Sequence, residues 1–239
     1  MILAFAATLS LAAPTVWQLN TLRAPRPDVD AWSPNGATLV PDQGGAFSFG
    51  NAFYFGARSA DGLEAWSAEP GLRYFARLHP RVDIGIGGRF CVGVLVLGGV
   101  PLDVSGRVLL YESSRFRLAA GGELRPFNAG PYMFERTNLW ADFIGDLRAS
   151  VVLSRHVLID LRVGAGAHVP LTQGRRFHVF SPELAVGITY KKRSAGVAVA
   201  LELMPYINMI GFFTPAPVPF SVHRYTRFAI SVGVPFSKL

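Results

Sequence analysis

From residue 45 to 236 the chain alternates apolar and polar positions with a period of two, the signature of strands, whose successive side chains point to opposite faces. Residues 82–96 show it most plainly: Val82, Ile84, Ile86, Phe90, Val92 and Val94 share one phase, and Asp83, Gly85, Gly87, Arg89, Cys91 and Gly93 share the other. Fifteen residues of alternation exceed the strand of about 5 to 6 residues usual in soluble proteins, whereas roughly 9 to 11 tilted residues cross a bilayer. Ten such segments can be delimited: from 45 onward, 68–78, 82–96, 100–111, 115–125, 139–153, 157–169, 178–190, 195–205 and 224–236.

The connections fall into two classes. Short turns are expected at 79–81, 112–114, 154–156 and 191–194, and mostly longer connections alternate with them, including 127–138 and 206–222, although 97–99 reads as a short turn on the long-loop side. Ten strands, both chain ends on one side and short turns opposite long loops together predict an all-β, closed, up-and-down antiparallel barrel in a membrane.

The charges sort by phase. Nine acids (Glu69, Asp83, Asp103, Glu123, Asp142, Asp146, Asp160, Glu183, Glu202) and ten arginines (Arg73, Arg77, Arg89, Arg107, Arg115, Arg117, Arg125, Arg148, Arg162, Arg227) occupy the polar phase; only Arg224, at a strand end, falls on the apolar one. An Arg on a lipid-facing position near the bilayer midplane costs about 2–4 kcal/mol, so such sorting suits a barrel with lipid outside. A soluble sandwich or lipocalin-like barrel would place the same two faces the other way round, charge to water and apolar side chains to the core. The basic residues of these segments are all Arg, with Lys confined to 191, 192 and 238, and a desolvated ion-pair lattice favours the planar guanidinium. The expected site is therefore a lumen network of those nineteen residues.

Composition agrees. Gly (25) and aromatics (12%) are plentiful and charged residues are scarce (16%), while no apolar run reaches the roughly 18 residues of a membrane helix. The net charge of +7 is carried by scattered Arg rather than basic runs, which argues against nucleic acid as a partner. A single cysteine excludes an intrachain disulfide. Residues 1–13 read as a signal-peptide remnant without a leading basic residue; 14–44, with five prolines and the turn-like Pro34-Asn35-Gly36, read as a periplasmic lead-in or a plug.

The last strand, Phe228-Ala229-Ile230-Ser231-Val232-Gly233-Val234-Pro235-Phe236, resembles the C-terminal signal strand of Gram-negative outer-membrane β-barrels, departing from it by the tail 237–239. The resemblance implies an outer-membrane location, a lipid bilayer as partner and recognition of Phe236 by the barrel-assembly machinery. No cofactor or metal motif is present: there is no H-E-x-x-H, G-x-S-x-G or Walker loop. His168 and His223 are expected inward near the loop-side rim with Glu183 and Ser181 nearby, a grouping that could in principle build a nucleophile and its base. The reading preferred from sequence is non-enzymatic: a structural or surface-binding barrel with a filled lumen, a narrow diffusion channel as the alternative, and a rim hydrolase behind both.

Overall fold

In the computed structural model the described residues are 31–58, 64–94, 96–129, 139–171, 179–192, 195–208 and 225–237. They form ten strands: β1 (Gln43–Arg58), β2 (Glu64–His79), β3 (Val82–Val94), β4 (Val96–Glu112), β5 (Phe116–Ala129), β6 (Leu139–Ser154), β7 (Val157–Pro170), β8 (Val179–Lys192), β9 (Ala195–Asn208) and β10 (Tyr225–Ser237). Each pairs antiparallel with its neighbours in sequence, and β1 pairs with β10 from Gly44↔Ser237 to Phe55↔Thr226, closing the barrel. Closure leaves no edge strand and pairs the ladder of every wall strand, as hydrocarbon surroundings require. The proposed signal remnant, His178, His223, Arg224 and most of the two long loops lie outside the described residues.

Sidedness follows the alternation. Phe90 is 64% exposed, Leu147 55% and Ile86 53%, whereas Asp83 and Asp142 expose nothing and Arg107 and Arg148 only 1%. The apolar phase is the outer belt and the ionic phase is enclosed, so the water-soluble arrangement, with charge outside an oily core, is excluded. At 13 to 17 residues, every strand is long enough to cross a bilayer.

The wall departs from strict alternation in β4. The segment expected to turn at 97–99 lies inside this strand, where Gly99 takes φ 144° opposite Phe90, a conformation that L side chains rarely adopt. The register slips between Gly87↔Asp103 and Arg89↔Val100, so Val100 is buried together with Asp103, three positions away, where strict alternation puts them on opposite faces. A second irregularity between Leu109 and Tyr111 turns Tyr111 outward.

Residues 31–42 precede β1 at the short-turn end of the barrel, and Ala31 to Val40 are almost wholly buried. The Ser33 amide donates to the Thr38 carbonyl at 3.2 Å, closing a loop over Pro34-Asn35-Gly36-Ala37. Trp32, Val40, Ala46 and Phe75 form a small apolar cluster, with Trp32 edge-on to Phe75 at 5.3 Å between ring centroids.

Candidate functional site: the ionic lumen

The enclosed charges divide into two layers. In the lower one, towards the short turns, Arg107 grips Asp83 on the neighbouring strand through Nε (2.9 Å) and Nη2 (2.5 Å), while its Nη1 donates to the carbonyls of Ser33 (2.6 Å) and Gly36 (2.9 Å). Its guanidinium also lies 5.0 Å from the centre of the Phe75 ring, a cation–π contact. Arg148 holds Asp146 through two bonds of 2.7 Å and donates to the Pro34 carbonyl at 3.3 Å. Asp160 accepts from Ser150 (2.6 Å) and Thr189 (3.1 Å), and Ser150 in turn accepts the Ala37 amide at 2.8 Å. The Val40 amide donates to Asp83 at 3.1 Å. Segment 31–42 is therefore held inside the wall by groups from β3, β4, β6, β7 and β8.

The fit at its tip is close. A side chain at Gly36 would collide with the Asp160 carboxylate and the Ser150 hydroxyl, so only glycine lets the loop reach this layer.

The upper layer holds two runs of ion pairs, one from Asp103 to Asp142 and one from Glu183 to Arg89. Arg73 joins Asp103 (2.9 Å) to Glu123 (2.6 Å), Arg125 joins Glu123 (3.0 Å) to Asp142 (3.8 Å), and Arg162 lies 3.4 Å from Glu183 and 3.9 Å from Glu202. Arg227 pairs with Glu202 at 3.0 Å and with Glu69, which also receives the Tyr54 hydroxyl at 2.9 Å, the Ser67 hydroxyl at 3.1 Å and, at 3.7 Å, Arg89. Mutual pairing of this kind is what lets ions sit in a desolvated interior.

Above those runs, Asp142 and His168 face each other directly across β6 and β7, Oδ1 to Nδ1 at 2.8 Å, and His168 Nε2 lies 2.6 Å from the hydroxyl of Ser181 on β8. The sequence suggested Glu183 as the carboxylate beside His168; Glu183 faces Arg162 instead, and Asp142 takes that place.

Not all nineteen expected lumen residues are there. Arg115 lies in the turn after β4 and is exposed, because β5 begins only at Phe116. Arg77 and Arg117 sit at the short-turn rim, Arg77 donating to the Pro80 (2.6 Å) and Pro41 (3.4 Å) carbonyls and Arg117 pairing with Glu112 at 3.0 Å. Lys191, expected in a turn, is buried because β8 runs on to Lys192, so the enclosed face is not purely Arg. Tyr54, Ser67, Ser150 and Thr189 belong to the network through hydroxyls on the inward phase, a quieter signal than charge.

Small residues line the opposite wall. Ala46, Ser48, Gly50, Gly71, Ala198, Ala200, Ala229, Ser231 and Gly233 leave a cavity of ≈ 110 Å³ between themselves and the ion pairs, with Pro34 and Asn35 among its lining. Five arginines (73, 89, 125, 162, 227) and four carboxylates (69, 103, 123, 202) border it. Among the described residues no cluster of metal-ligating side chains occurs.

At the seam, the outward Phe236 pairs with Gly45, and any side chain at Gly45 would strike its ring. Such an aromatic covering a strand glycine helps pin the register.

No family model and no curated protein matches the chain. Among solved structures it is similar to the COG4313 outer membrane channel from Pseudomonas putida F1, at 12% identity over 86% of this chain and 99% of that one, with a TM-score of 0.50. The outer membrane protease OmpT of Escherichia coli aligns at 11% identity over 87% and 99% of the two chains, TM-score 0.42. Ail, the attachment invasion locus protein of Yersinia pestis, aligns at 8% over 81% and 96%, TM-score 0.35. At such identities the likeness concerns architecture. With a closed ten-strand wall, an apolar outer belt and an enclosed ionic lumen, the chain has the fold of the outer-membrane β-barrel proteins.

Proposed function

We propose that this chain is an outer-membrane barrel of a Gram-negative bacterium that acts as a narrow channel for small anionic solutes and rests closed at its short-turn end. The observation that carries this reading is the cavity beside the ion pairs, lined in part by segment 31–42 rather than by the wall. A ten-stranded barrel is too narrow for the wide aqueous bore of a 16-stranded porin, so lining charges control what enters. Here they sum to one excess cation, and Arg73 and Arg89 keep 20% and 25% of their side-chain surface exposed. The fold shared with a protein described as an outer membrane channel is compatible with this role.

A structural or surface-binding role is the second reading, favoured by the dense ion pairing of Arg73, Glu123, Arg125, Asp146 and Arg148 within the lumen. Planar-bilayer recording separates the two. A channel gives rare small openings in the intact chain and frequent ones after deletion of residues 31–42; silence from both proteins sinks the channel reading and leaves the scaffold. In either case the lipid bilayer is the surrounding partner, and Phe236 is the position we expect the barrel-assembly machinery to read.

A further inference from the structure

The geometry points to a second activity: Asp142, His168 and Ser181 form a hydrolytic triad that cleaves a carboxylic ester at the loop-side mouth of the barrel. The three come from three successive strands. Asp142 and His168 are direct cross-strand partners, and Ser181 stands opposite Gly166, two residues along β7 from His168. His168 and Ser181 each lie two residues from the loop-side end of their strand, and Asp142 three.

The distances suit the roles. Asp142 Oδ1 accepts from His168 Nδ1–H at 2.8 Å, the tautomer in which Nε2 accepts the Ser181 hydroxyl at 2.6 Å. Asp142 and Ser181 expose nothing and His168 only 4%, so the bonds form in dry surroundings, and labelling of Ser181 by a small reagent is the direct measure of access to it. Arg125, 3.8 Å from Asp142, places a cation beside the carboxylate. Gly166 supplies the room: a Cβ there would stand 3.0 Å from Ser181 Oγ and 3.2 Å from His168 Nε2. Elsewhere in the lumen the carboxylates meet arginines, serines, a threonine and a tyrosine, and an imidazole bridging carboxylate and hydroxyl occurs once among the described residues.

The steps balance with water as the only co-reactant. Ser181 Oγ bonds to the ester carbonyl carbon as its proton passes to His168 Nε2, and the carbonyl becomes an oxyanion. Collapse breaks the bond to the alcohol oxygen, which leaves with the proton from Nε2, and the acyl group stays on Ser181. Water then attacks the acyl carbon, gives its proton to Nε2, and Ser181 departs with that proton, releasing the acid. Asp142 is a positioning residue, holding the imidazole and steadying the imidazolium.

The test uses the full chain, purified as a folded barrel in detergent, with diisopropyl fluorophosphate as a small serine reagent and p-nitrophenyl acetate as substrate. Labelling is expected at Ser181, read by peptide mass spectrometry, and is lost in Ser181→Ala and His168→Ala proteins that keep the heat-sensitive gel mobility of a folded barrel. Ester turnover falls by at least 100-fold in both, and Asp142→Asn lowers kcat at unchanged KM. Folded wild-type protein without label on Ser181, or turnover equal in wild type and Ser181→Ala, overturns the assignment. Neither result bears on conductance, so the channel reading stands or falls separately.

Discussion

Arg107 and Asp83 sit directly opposite on neighbouring strands, and the same guanidinium that clamps both carboxylate oxygens reaches the carbonyls of Ser33 and Gly36. One side chain thus joins the wall to the segment inside it. Breaking a buried pair from one side leaves an uncompensated ion, at a cost of about 3–5 kcal/mol. Arg107→Ala is expected to lose that much in urea unfolding followed by tryptophan emission, and the double variant Arg107→Leu with Asp83→Leu to regain most of it. A loss within about 1 kcal/mol of zero for the single variant, the scale of exposed pairs, would show that the bridge is solvated instead.

Gly36→Val adds bulk where Asp160 and Ser150 already fill the space, while every wall residue keeps its identity. The tip of segment 31–42 should withdraw while the barrel stays folded. Trp32, 1% exposed in the structure, reports it: in a chain whose other tryptophans are phenylalanine, iodide quenching rises several-fold in the variant. Unchanged quenching would mean that the loop tolerates displacement without leaving.

Arg89 borders the cavity, keeps a quarter of its side chain exposed, and has Glu69 at 3.7 Å as its ion-pair contact. Arg89→Glu turns the excess of one lining cation into an excess of one anion. The reversal potential in a salt gradient should move from anion towards cation preference in the chain lacking residues 31–42. An unmoved potential would place the selective constriction elsewhere.

Leu147 lies at the middle of β6 on the outer belt, and Leu153 near its short-turn end. Replacing an outward residue by Arg costs about 2–4 kcal/mol at the midplane and about 0–1 near the interface. Leu147→Arg should therefore destabilise the barrel in lipid vesicles by a few kcal/mol more than Leu153→Arg. Equal costs at the two depths would contradict a bilayer centred on these strands.

The wall was legible in the sequence because one physical demand, apolar outside and ionic inside, writes itself into every second residue. What alternation cannot encode is a slipped register: Val100 turned inward and Tyr111 outward because extra residues enter β4, and neither change alters composition. Arg115 and Lys191 were misplaced by a few residues of uncertainty at strand ends, where phase loses its meaning. The partner of His168 depended on register rather than on residue type, since Asp142 and Glu183 are both inward carboxylates and cross-strand alignment selects the first. The path of residues 31–42 rests on bonds such as Ala37 to Ser150, 113 positions apart, for which a Pro-rich stretch holds no local sign beyond the turn at Pro34-Asn35-Gly36.

Closure of the wall by β1 against β10 joins the first described strand to the last, so the ring is complete only with both of them in place. Segment 31–42 runs directly into β1 and is bonded to β4 and β6, so it ties the seam to the far side of the bore. A wall parted at that seam therefore keeps its inner segment fastened to one lip.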